Sequence, residues 1–479
     1  MRLASRSLLF LVGLTAVTAQ AQISNFKHVV IIVQENRTPD NLFQGLCAAP
    51  YGACAVPPTS AAPYNIQTSN WLTKGGTIQP LPIALTNTYD LGHSYQSFYA
   101  MCDIVVGSPP TCQMDGASGI NCIPNAGTTC PPNPQFNFVD NSTGILNPYL
   151  TLATQYGWAN YMFQTNQGAS FPAHQFIFGG TSAPSAADDA NAVFAGANTF
   201  PQHAGAGCLG NGTVVALISP NPTPPPYGVE HSSVPPCFEH QTMADLVTDW
   251  RYYAAGASSV FTAPNAIDHI CLPSGGVCTG WGRHVNAKNP AQVLTDMGNC
   301  HFPDLVWVTP AAVNSDHPGS NDGGGPSWVA SVVNAVGNST CTDKVNSGTL
   351  TYWQDTAIFI TWDDWGGWYD HVPPVFQTGT IQDDYQFGFR VPLVVVSAYS
   401  TKAGYISNLQ YDFGSILKGV EGIIGTGNLG FADARATNDL HDFFNFTQTP
   451  TKYKTIPAPL AGGFFTATAD TEVAPPDTD

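Results

Sequence analysis

The sequence predicts an α/β fold, a three-layer α/β/α sandwich built around a mostly parallel central sheet. Two observations predict it. Short runs that are apolar on both faces are typical of buried parallel strands. Helical patterns lie between these runs, and strands that alternate with helices favour a layered α/β arrangement. The runs that we interpret as buried parallel strands are Val29–Val33, Leu305–Val308, Ala357–Thr361 and Leu393–Val396.

Three helices are predicted from apolar spacing and from residues that start or stop a helix. Asn147-Pro148 begins one at Tyr149, which Gly157 is expected to end. Pro326 begins a second, whose apolar face carries Val329, Val332, Val333 and Val336. The third is closed by Gly425. Its apolar face carries Phe413, Ile416, Leu417, Val420, Ile423 and Ile424.

Long stretches between these elements predict ordered loop insertions near residues 47–82, 102–135 and 183–237. The chain has 46 Gly and 39 Pro, and only 10% of its residues are charged, which is typical of a loop-rich scaffold. With 43% hydrophobic residues the chain can bury a large core. We therefore expect a single domain over residues 22–467.

The twelve cysteines predict disulfides that hold these loops. Four pairs are close enough in sequence to bridge a local loop, although spacing alone does not fix the connectivity. These pairs are Cys47/Cys54, Cys102/Cys112, Cys122/Cys130 and Cys271/Cys278. A cysteine zinc site is the weaker interpretation, because the sequence has no CxxC spacing.

The first 21 residues predict a secretory signal peptide. Arg2 and Arg6 precede an apolar run, Leu8–Val17, and Ala19-Gln20-Ala21 supplies the small residues of a cleavage site. The run is too short to span a bilayer. We expect a secreted or periplasmic protein without an integral membrane segment, and a flexible tail over residues 468–479.

The formal net charge of −18 narrows the classes of partner. An acidic surface repels nucleic-acid phosphates and anionic lipid headgroups, so we expect no nucleic-acid partner. An enzyme acting on an anionic phosphate would need local positive charge. A bound cation and clustered histidines would supply it.

Polar residues follow three predicted strands where each strand ends. Gln34-Glu35-Asn36-Arg37 follows the first, Ser315-Asp316-His317-Pro318 lies in the loop after the second, and Asp363-Asp364 with Asp370-His371 follows the third. Ligands bind beyond the carboxyl ends of strands in open α/β sheets, so these groups should meet at one edge. A small-residue turn, Gly168–Pro172, is also able to expose the hydroxyl of Ser170.

Glu35, Asn36, Asp363 and Asp364 offer oxygen ligands for one divalent cation. Such ligands favour Ca²⁺, Mg²⁺ or Mn²⁺, although Zn²⁺ also accepts carboxylates. A metal beside Ser170 can make its hydroxyl nucleophilic, and nearby histidines can bind phosphoryl oxygens or protonate a leaving group.

Each piece also has an ordinary structural interpretation. The Glu35-Asn36 pair is consistent with a turn, Asp363-Asp364 with a helix N-cap, and Asp316-His317 with an Asx-type turn. Ser170 alone carries no signal. The prediction of a site therefore depends on the convergence of these groups.

These segments resemble the bacterial phospholipase C and acid phosphatase family. Glu35–Phe43 is similar to the family signature ENRSFDHYFG, and Gly168–Pro172 to its internal G-P-[ST]-x-P turn. Ser315–Pro318 with Gly325–Val329 matches its SDHP…GPxWV block. Thr361–Val372 matches T-[WY]-D-[DE]-x-G-G-x-[YF]-D-H-V. The blocks occur in family order across residues 26–424.

The resemblance implies an alkaline-phosphatase-like fold with one divalent metal ion in its site. It implies that Glu35, Asn36, Asp363 and Asp364 hold the ion, and that Ser170 is both a ligand and the nucleophile that forms phosphoserine. His93, His317 and His371 look like phosphate-binding or acid–base residues, with Asp316 as a substrate-binding residue. His174 stands where phospholipases usually carry Arg, so it is a further candidate for phosphate; a core or turn histidine is equally consistent.

Ser170 favours hydrolysis of phosphate monoesters, because acid phosphatase members usually carry serine there and phospholipase members threonine. A phospholipase C or other phosphodiesterase using the same site is the nearest alternative. A secreted binding protein with an inactive site is the second. A sulfatase is less favoured, since His174 replaces the Arg of the [CS]-x-P-x-R turn. The expected partner is a small phosphate ester or a phospholipid headgroup.

Overall fold

The structure is a computed structural model that describes residues 26–105, 107, 110–199, 205–220, 228–342, 350–376 and 386–468. The predicted signal peptide over residues 1–21 lies outside the described residues, as does the predicted tail apart from Thr468. Parts of the predicted insertions near 102–135 and 183–237 lie outside them as well.

A sheet of eight strands forms the centre of the molecule. In chain order its strands are β1 (His28–Gln34), β2 (Gly157–Met162), β3 (Trp250–Tyr253), β4 (Val285–Asn286), β5 (Leu305–Val308), β6 (Thr356–Trp362), β7 (Leu393–Ser397) and β8 (Tyr405–Tyr411). Across the sheet the order is β4-β3-β5-β1-β6-β7-β2-β8, so β1 lies in the interior of the sheet.

Strand direction confirms the mostly parallel sheet but corrects one strand. Strands β4, β3, β5, β1 and β6 pair in parallel, and β2 pairs in parallel with β8. Strand β7 is antiparallel to both of its neighbours, β6 and β2. The predicted parallel direction of Leu393–Val396 is therefore wrong. Its apolar pattern indicates only that both faces of the strand are buried. A strand in a sheet covered on both sides shows this pattern whether it runs parallel or antiparallel to its neighbours.

Helices cover both faces of this sheet, which confirms the three-layer sandwich. In chain order they are α1 (Pro39–Leu42), α2 (Tyr95–Cys102), α3 (Asn147–Gln155), α4 (Ser170–Gly179), α5 (Ala186–Ala190), α6 (Met243–Leu246), α7 (Asp268–Cys271), α8 (Gln292–Gly298), α9 (Gly325–Gly337), α10 (Tyr352–Asp355), α11 (Phe413–Ile424), α12 (Ala432–Arg435) and α13 (Gly462–Ala467). One layer contains α4 packed on α11, and the other packs α3, α8 and α13 around α9. Over the part of the chain described, every helix is too short or too polar to cross a bilayer.

The three predicted helices are present as α3, α9 and α11, with one corrected end. Helix α11 begins after Asp412, whose side chain accepts a hydrogen bond from the amide of Ser415, and ends at Gly425 with φ 77°. Gly157 does not end α3, which stops at Gln155. It begins β2 instead. Glycine is required at this position because a side chain there would run into the ring of Phe443.

Six disulfides connect the cysteines and hold the insertions. The four predicted local pairs are confirmed: Cys47–Cys54, Cys102–Cys112, Cys122–Cys130 and Cys271–Cys278. Cys208–Cys237 and Cys300–Cys341 join residues 29 and 41 positions apart. The insertions contain short strands as well as loops. These are Trp71–Thr73, Gly76–Ile78, Leu81–Ile83, Tyr89–Leu91, Ile104–Val105, Thr111–Cys112, Cys122–Pro124, Asn137–Val139, Phe194–Thr199, Val214–Pro220 and Gly228–Val234, and the hairpin Pro273–Ser274 with Val277–Cys278 lies further along the chain.

A second apolar cluster fixes the insertions against the carboxyl edge of the sheet. Trp365 and Trp368, which follow β6, are buried in it with Phe98 and Phe389. The rings of Trp365 and Phe389 meet edge to face at 4.7 Å. This packing orders the loop that carries the paired carboxylates.

Candidate active site

Strand register brings the two predicted metal-binding pairs together. Strand β1 pairs with β6 so that Gln34 lies opposite Trp362, the last residues of the two strands. Glu35-Asn36 and Asp363-Asp364 therefore leave adjacent strands at the same level. The amide of Asn36 donates to Asp363 Oδ1 at 2.9 Å, which joins the two loops directly.

The backbone at this junction adopts a conformation that most residues avoid. Asn36 has φ 60°, in the left-handed region. Gly366 faces it with φ 59°, and a Cβ on Gly366 would collide with the carbonyl and Cβ of Asn36. The amide of Gly366 donates to Asp364 Oδ1 at 2.7 Å. Only glycine lets the β6 loop approach closely enough for Asp364 to turn its other oxygen toward the site.

Ser170 is the first residue of α4, and its hydroxyl meets this junction. Its Oγ lies 3.1 Å from Asp364 Oδ2 and 3.3 Å from Asn36 Oδ1. The sequence suggested an exposed hydroxyl, but Ser170 is only 1% exposed, because α4 is buried along its whole length. At the start of α4 the helix dipole and backbone amides favour a bound anion.

Gln164 links the Gly168–Pro172 turn to the loop that follows β6, a role that the sequence does not indicate. Its Nε2 donates to the carbonyl of Gly168 at 3.0 Å, and its Oε1 accepts from the amide of Trp365 at 3.1 Å. Gly168 itself packs against the carbonyl of Gly196, where a side chain has no room. A lone glutamine after a strand has no local signal, so only the tertiary structure identifies it.

His93 joins the same cluster with a defined tautomer. Its Nδ1 lies 2.6 Å from the carbonyl of Leu91, which can only accept, so Nδ1 carries a proton. Its Nε2 lies 3.1 Å from Asn36 Nδ2 and 3.9 Å from Asp364 Oδ2. In the neutral ring Nε2 therefore accepts from Asn36, and in the protonated ring it faces the carboxylate.

His174 lies one helical turn after Ser170 and faces carboxylates. Its Nε2 is 3.2 Å from Glu35 Oε1 and 3.8 Å from Asp363 Oδ2, and all three residues are fully buried. Its ring packs near the ring of Phe261, with centroids 5.5 Å apart. His174, the candidate for phosphate, therefore contacts two of the predicted metal-binding carboxylates.

Asp316 lies in a buried hydrogen-bond network. Its Oδ2 accepts from the hydroxyl of Tyr149 and from Trp362 Nε1, both at 2.9 Å, while its carbonyl accepts from Arg37 Nε at 2.8 Å. Burial raises the pKa of Asp316 to about 6, and burial lowers the pKa of Arg37 to about 10. Asp316 is fully buried, and its hydrogen bonds connect Trp362 of β6 to Tyr149 of α3.

His317 follows in the same loop and has its ring orientation fixed. Its Nδ1 lies 2.8 Å from the carbonyl of Pro318, so this nitrogen is the protonated one. Within the described residues Nε2 makes no hydrogen bond. His317 is 5% exposed. Gly319 beside it donates its amide to the carbonyl of Asn87, which joins this loop to the segment that precedes His93.

His371 lies in a different cluster, which we call the clamp: Asp40, Asp370, His371 and Arg390. Its Nδ1 is 2.7 Å from Asp40 Oδ2 and its Nε2 is 3.1 Å from Asn65 Oδ1. Arg390 binds both oxygens of Asp370 at 2.8 and 2.9 Å and reaches Asp40 at 3.4 Å. Burial disfavours the charge on Asp40, but His371 and Arg390 outweigh it and lower its pKa.

The clamp joins the segments that follow β1 and β6. Asp40 lies five residues after Glu35, and His371 lies seven after Asp364. Thr38 Oγ1 adds a hydrogen bond to the carbonyl of Tyr369 at 2.9 Å. Arg390 reaches this edge because it precedes the antiparallel strand β7. In the sequence Asp40 belongs to the Glu35–Phe43 motif, but nothing there gives a reason to pair it with Arg390.

The residues at the junction fit a divalent cation. One ligand atom each from Glu35, His174 and Asp363 lie within 4.8 Å of one another. Asp363 Oδ2 is buried and accepts no hydrogen bond from any described residue. Carboxylates buried this close together repel, and a bound cation removes that penalty. Cys208, Cys237 and Asp268 also lie close enough together to hold a metal ion. They are excluded as a metal site because the two cysteines form a disulfide.

A buried serine beside paired carboxylates, at the carboxyl edge of an α/β sandwich, is an arrangement suited to phosphoryl transfer. The model of the Phosphoesterase family matches residues 26–426, most of the chain, and the chain belongs to this family. The family predicted from the sequence motifs is thereby confirmed.

Several relatives of known name are phospholipases C. The chain is 26% identical over 191 residues to phospholipase C B of Mycobacterium tuberculosis, covering 36% of this chain and 34% of the relative. It is 26% identical over 147 residues to the non-hemolytic phospholipase C of Burkholderia pseudomallei, covering 26% and 19%. It is 30% identical over 133 residues to the non-specific phospholipase C6 of Arabidopsis thaliana, covering 24% of each. The matches thus span about a third or less of these relatives.

The comparison with solved structures gives a partial match. It is described as a protein in the alkaline phosphatase superfamily from Vibrio parahaemolyticus and superposes with a TM-score of 0.31 at 10% identity. The superposition covers 60% of this chain and 62% of that one. It is too partial to inform the site.

Proposed function

We propose that this chain is a metal-dependent phosphoesterase that hydrolyses phosphate monoesters through a phosphoserine intermediate at Ser170. One observation carries the proposal: Ser170 Oγ lies 3.1 Å from Asp364 and 3.3 Å from Asn36, although these residues are 194 and 134 positions away in the chain. Chance packing seldom buries a hydroxyl between the loops of two adjacent strands. Family membership supports the same class of reaction.

The predicted ligands of one divalent ion are Glu35, Asn36, Asp363, Asp364 and Ser170. When bound, such an ion neutralises phosphoryl charge and stabilises the serine as an alkoxide. The protein contributes the fixed geometry: Asn36 and Asp363 are joined by a hydrogen bond, and Gly366 orients Asp364. Six disulfides support an oxidising location, secreted or periplasmic.

Ser170 begins the reaction by attacking phosphorus. The bond from Oγ to phosphorus forms as the bond from phosphorus to the ester oxygen breaks, and the serine proton leaves toward Asp364 Oδ2. The start of α4 stabilises the negative phosphoryl oxygens. The leaving alkoxide takes a proton from a protonated imidazole, for which His93 and His317 are the candidates because a backbone carbonyl fixes each Nδ1.

Water completes the cycle. A deprotonated imidazole takes a proton from water, whose oxygen bonds to phosphorus as the bond to Ser170 Oγ breaks. Asp364 returns its proton to the serine oxygen, and inorganic phosphate leaves. The same imidazole, of His93 or of His317, therefore serves as the acid in the first half-reaction and as the base in the second.

Phospholipase C or another phosphodiesterase activity is the second candidate. The relatives named phospholipase C favour it, and the catalytic groups are the same for both leaving groups. The partner would then be a phospholipid headgroup instead of a small monoester. Serine at position 170, where the phospholipases usually carry threonine, keeps the monoesterase first.

The two candidates are separated by three chromogenic substrates. Purified protein is assayed with p-nitrophenyl phosphate, bis-p-nitrophenyl phosphate and p-nitrophenylphosphorylcholine, each with and without a chelator. We expect chelator-sensitive hydrolysis of the first substrate. Hydrolysis of the second or third alone would establish the phosphodiesterase. If metal-supplied protein hydrolyses none of them, a secreted binding protein with an inactive site becomes the better account.

A further inference from the structure

His174 has a position that the oxygen-only metal site does not explain. It lies four residues after Ser170 in α4, a spacing that puts both side chains on the same face of the helix. Both side chains therefore point at the residues that follow β1 and β6. The ring is fully buried, and its position beside Phe261 holds it in place.

Three ligand atoms converge at this point. His174 Nε2 lies 3.2 Å from Glu35 Oε1 and 3.8 Å from Asp363 Oδ2. Two ligands of one tetrahedral Zn²⁺, at bond lengths near 2.0–2.1 Å, are separated by about 3.3 Å. The observed separations bracket that value. Asp363 Oδ2, which accepts no hydrogen bond from the described residues, is the oxygen that faces the imidazole.

Two other roles for His174 fit the contacts less well. A phosphate-binding imidazole would point toward the substrate, but this Nε2 points between two carboxylates, which repel phosphate. A purely structural imidazole would satisfy Glu35 alone, and would leave Asp363 Oδ2 buried without a hydrogen bond. A shared cation satisfies both carboxylates and the imidazole together.

We propose that His174 Nε2 is a metal ligand together with Glu35 and Asp363, and that it makes the site select Zn²⁺ over Ca²⁺ and Mg²⁺. Imidazole nitrogen suits zinc and related transition-metal ions, whereas Ca²⁺ and Mg²⁺ are held almost entirely by oxygen. The inference rests on the metal site of the proposed function and adds the kind of ion.

The test compares metal affinities instead of reaction rates. Metal-free protein is titrated with ZnCl₂ and with CaCl₂ by isothermal calorimetry. His174→Gln places an amide oxygen near the position of Nε2 and so converts the site to oxygen ligands. Changes in the second shell of zinc sites cost 10–100-fold in affinity, so loss of a ligand is expected to weaken zinc binding by at least about 100-fold. Calcium binding should change by less than about threefold, since calcium gains nothing from imidazole.

His269→Gln is the matched control. This exposed histidine also lies between two carboxylates, 2.8 Å from Glu239 and 2.9 Å from Asp245, so it controls for zinc bound at a surface imidazole. We expect its substitution to leave the tight zinc site unchanged. If it removes the tight site instead, the zinc lies on the surface and the proposal is wrong.

A second measurement does not depend on the variant folding. X-ray absorption at the zinc edge of the wild-type protein detects the outer-shell scattering of a bound imidazole, and one imidazole is expected. No imidazole scattering, or an equal loss of zinc and calcium affinity in His174→Gln, overturns the role of His174 and leaves the oxygen site intact. If wild-type protein binds neither ion, the metal site of the proposed function itself fails.

Discussion

Asp316 shows how strongly burial acts on a single carboxyl group next to the site. Its pKa rises from 3.8 to about 6 on folding because the group is buried. A shift of about two units, at about 1.4 kcal/mol per unit, costs the folded protein about 3 kcal/mol when Asp316 is ionised. Since the folded pKa is the higher one, the folded protein has its full stability below about pH 4, where Asp316 is protonated. About 3 kcal/mol of that stability is lost as the pH rises through 6.

Asp316→Asn should remove this pH dependence. Asparagine keeps an oxygen that accepts from Tyr149 and Trp362, and it stays neutral at every pH. Unfolding entropies near 2.1 cal/mol/K per residue, over 479 residues, convert 3 kcal/mol into about 3 °C. We expect equal melting temperatures at pH 4 and a variant that melts about 3 °C higher at pH 8, measured by scanning fluorimetry of metal-free protein.

Asp268→Asn is the control for the loss of one negative charge, because Asp268 is exposed. Its melting temperature should follow that of the wild type across the pH range. The reasoning is refuted if Asp316→Asn runs parallel to the wild type, or melts lower at pH 8. Either result would mean that Arg37 stabilises Asp316 as an anion more than burial penalises it.

Three further predictions concern the nucleophile, the clamp and helix α11. Ser170→Ala should lower kcat on p-nitrophenyl phosphate by several orders of magnitude with an unchanged melting temperature; an unchanged rate would eliminate the serine mechanism. His371→Asn removes the ring contact to Asp40 and should cost about 1–3 kcal/mol of stability, with a lower kcat. If kcat is lost while the melting temperature is unchanged, His371 contacts the substrate instead. Burial and the nearby Asp433 raise the pKa of Glu421 to about 8, so wild-type stability should fall as the pH rises through 8. Glu421→Gln should flatten that fall in melting curves from pH 6 to 9, and a persistent fall would assign it to another group.

The residues at the carboxyl edge of the sheet could be predicted from sequence because neighbouring residues in the chain mark each strand end. An apolar run followed by Glu35-Asn36 or Asp363-Asp364 reports a buried strand and its end. Parallel pairing then places those ends together, as the register of Gln34 with Trp362 does. The α/β class and the three long helices follow from similar local patterns.

What the sequence could not show depends on tertiary placement. The direction of β7 leaves no trace in Leu393–Val396, because burial on both faces is the same for either direction. Gln164 and the pairing of Asp40 with Arg390 involve residues hundreds of positions apart, with no shared motif spacing. The resemblance makes His174 a candidate for phosphate because it stands where phospholipases usually carry Arg. Only the fold shows that its Nε2 faces Glu35 instead.

The central position of β1 has a consequence for how the chain acquires its structure. The first described strand pairs with β5 and β6, whose residues lie about 275 to 330 positions later. A chain growing from its amino end therefore cannot give β1 both of its partners until residue 362 has been made, and it cannot complete the sheet until residue 411 of 479. During synthesis β1 has neither partner, so it depends on delayed collapse or on chaperones to avoid aggregation.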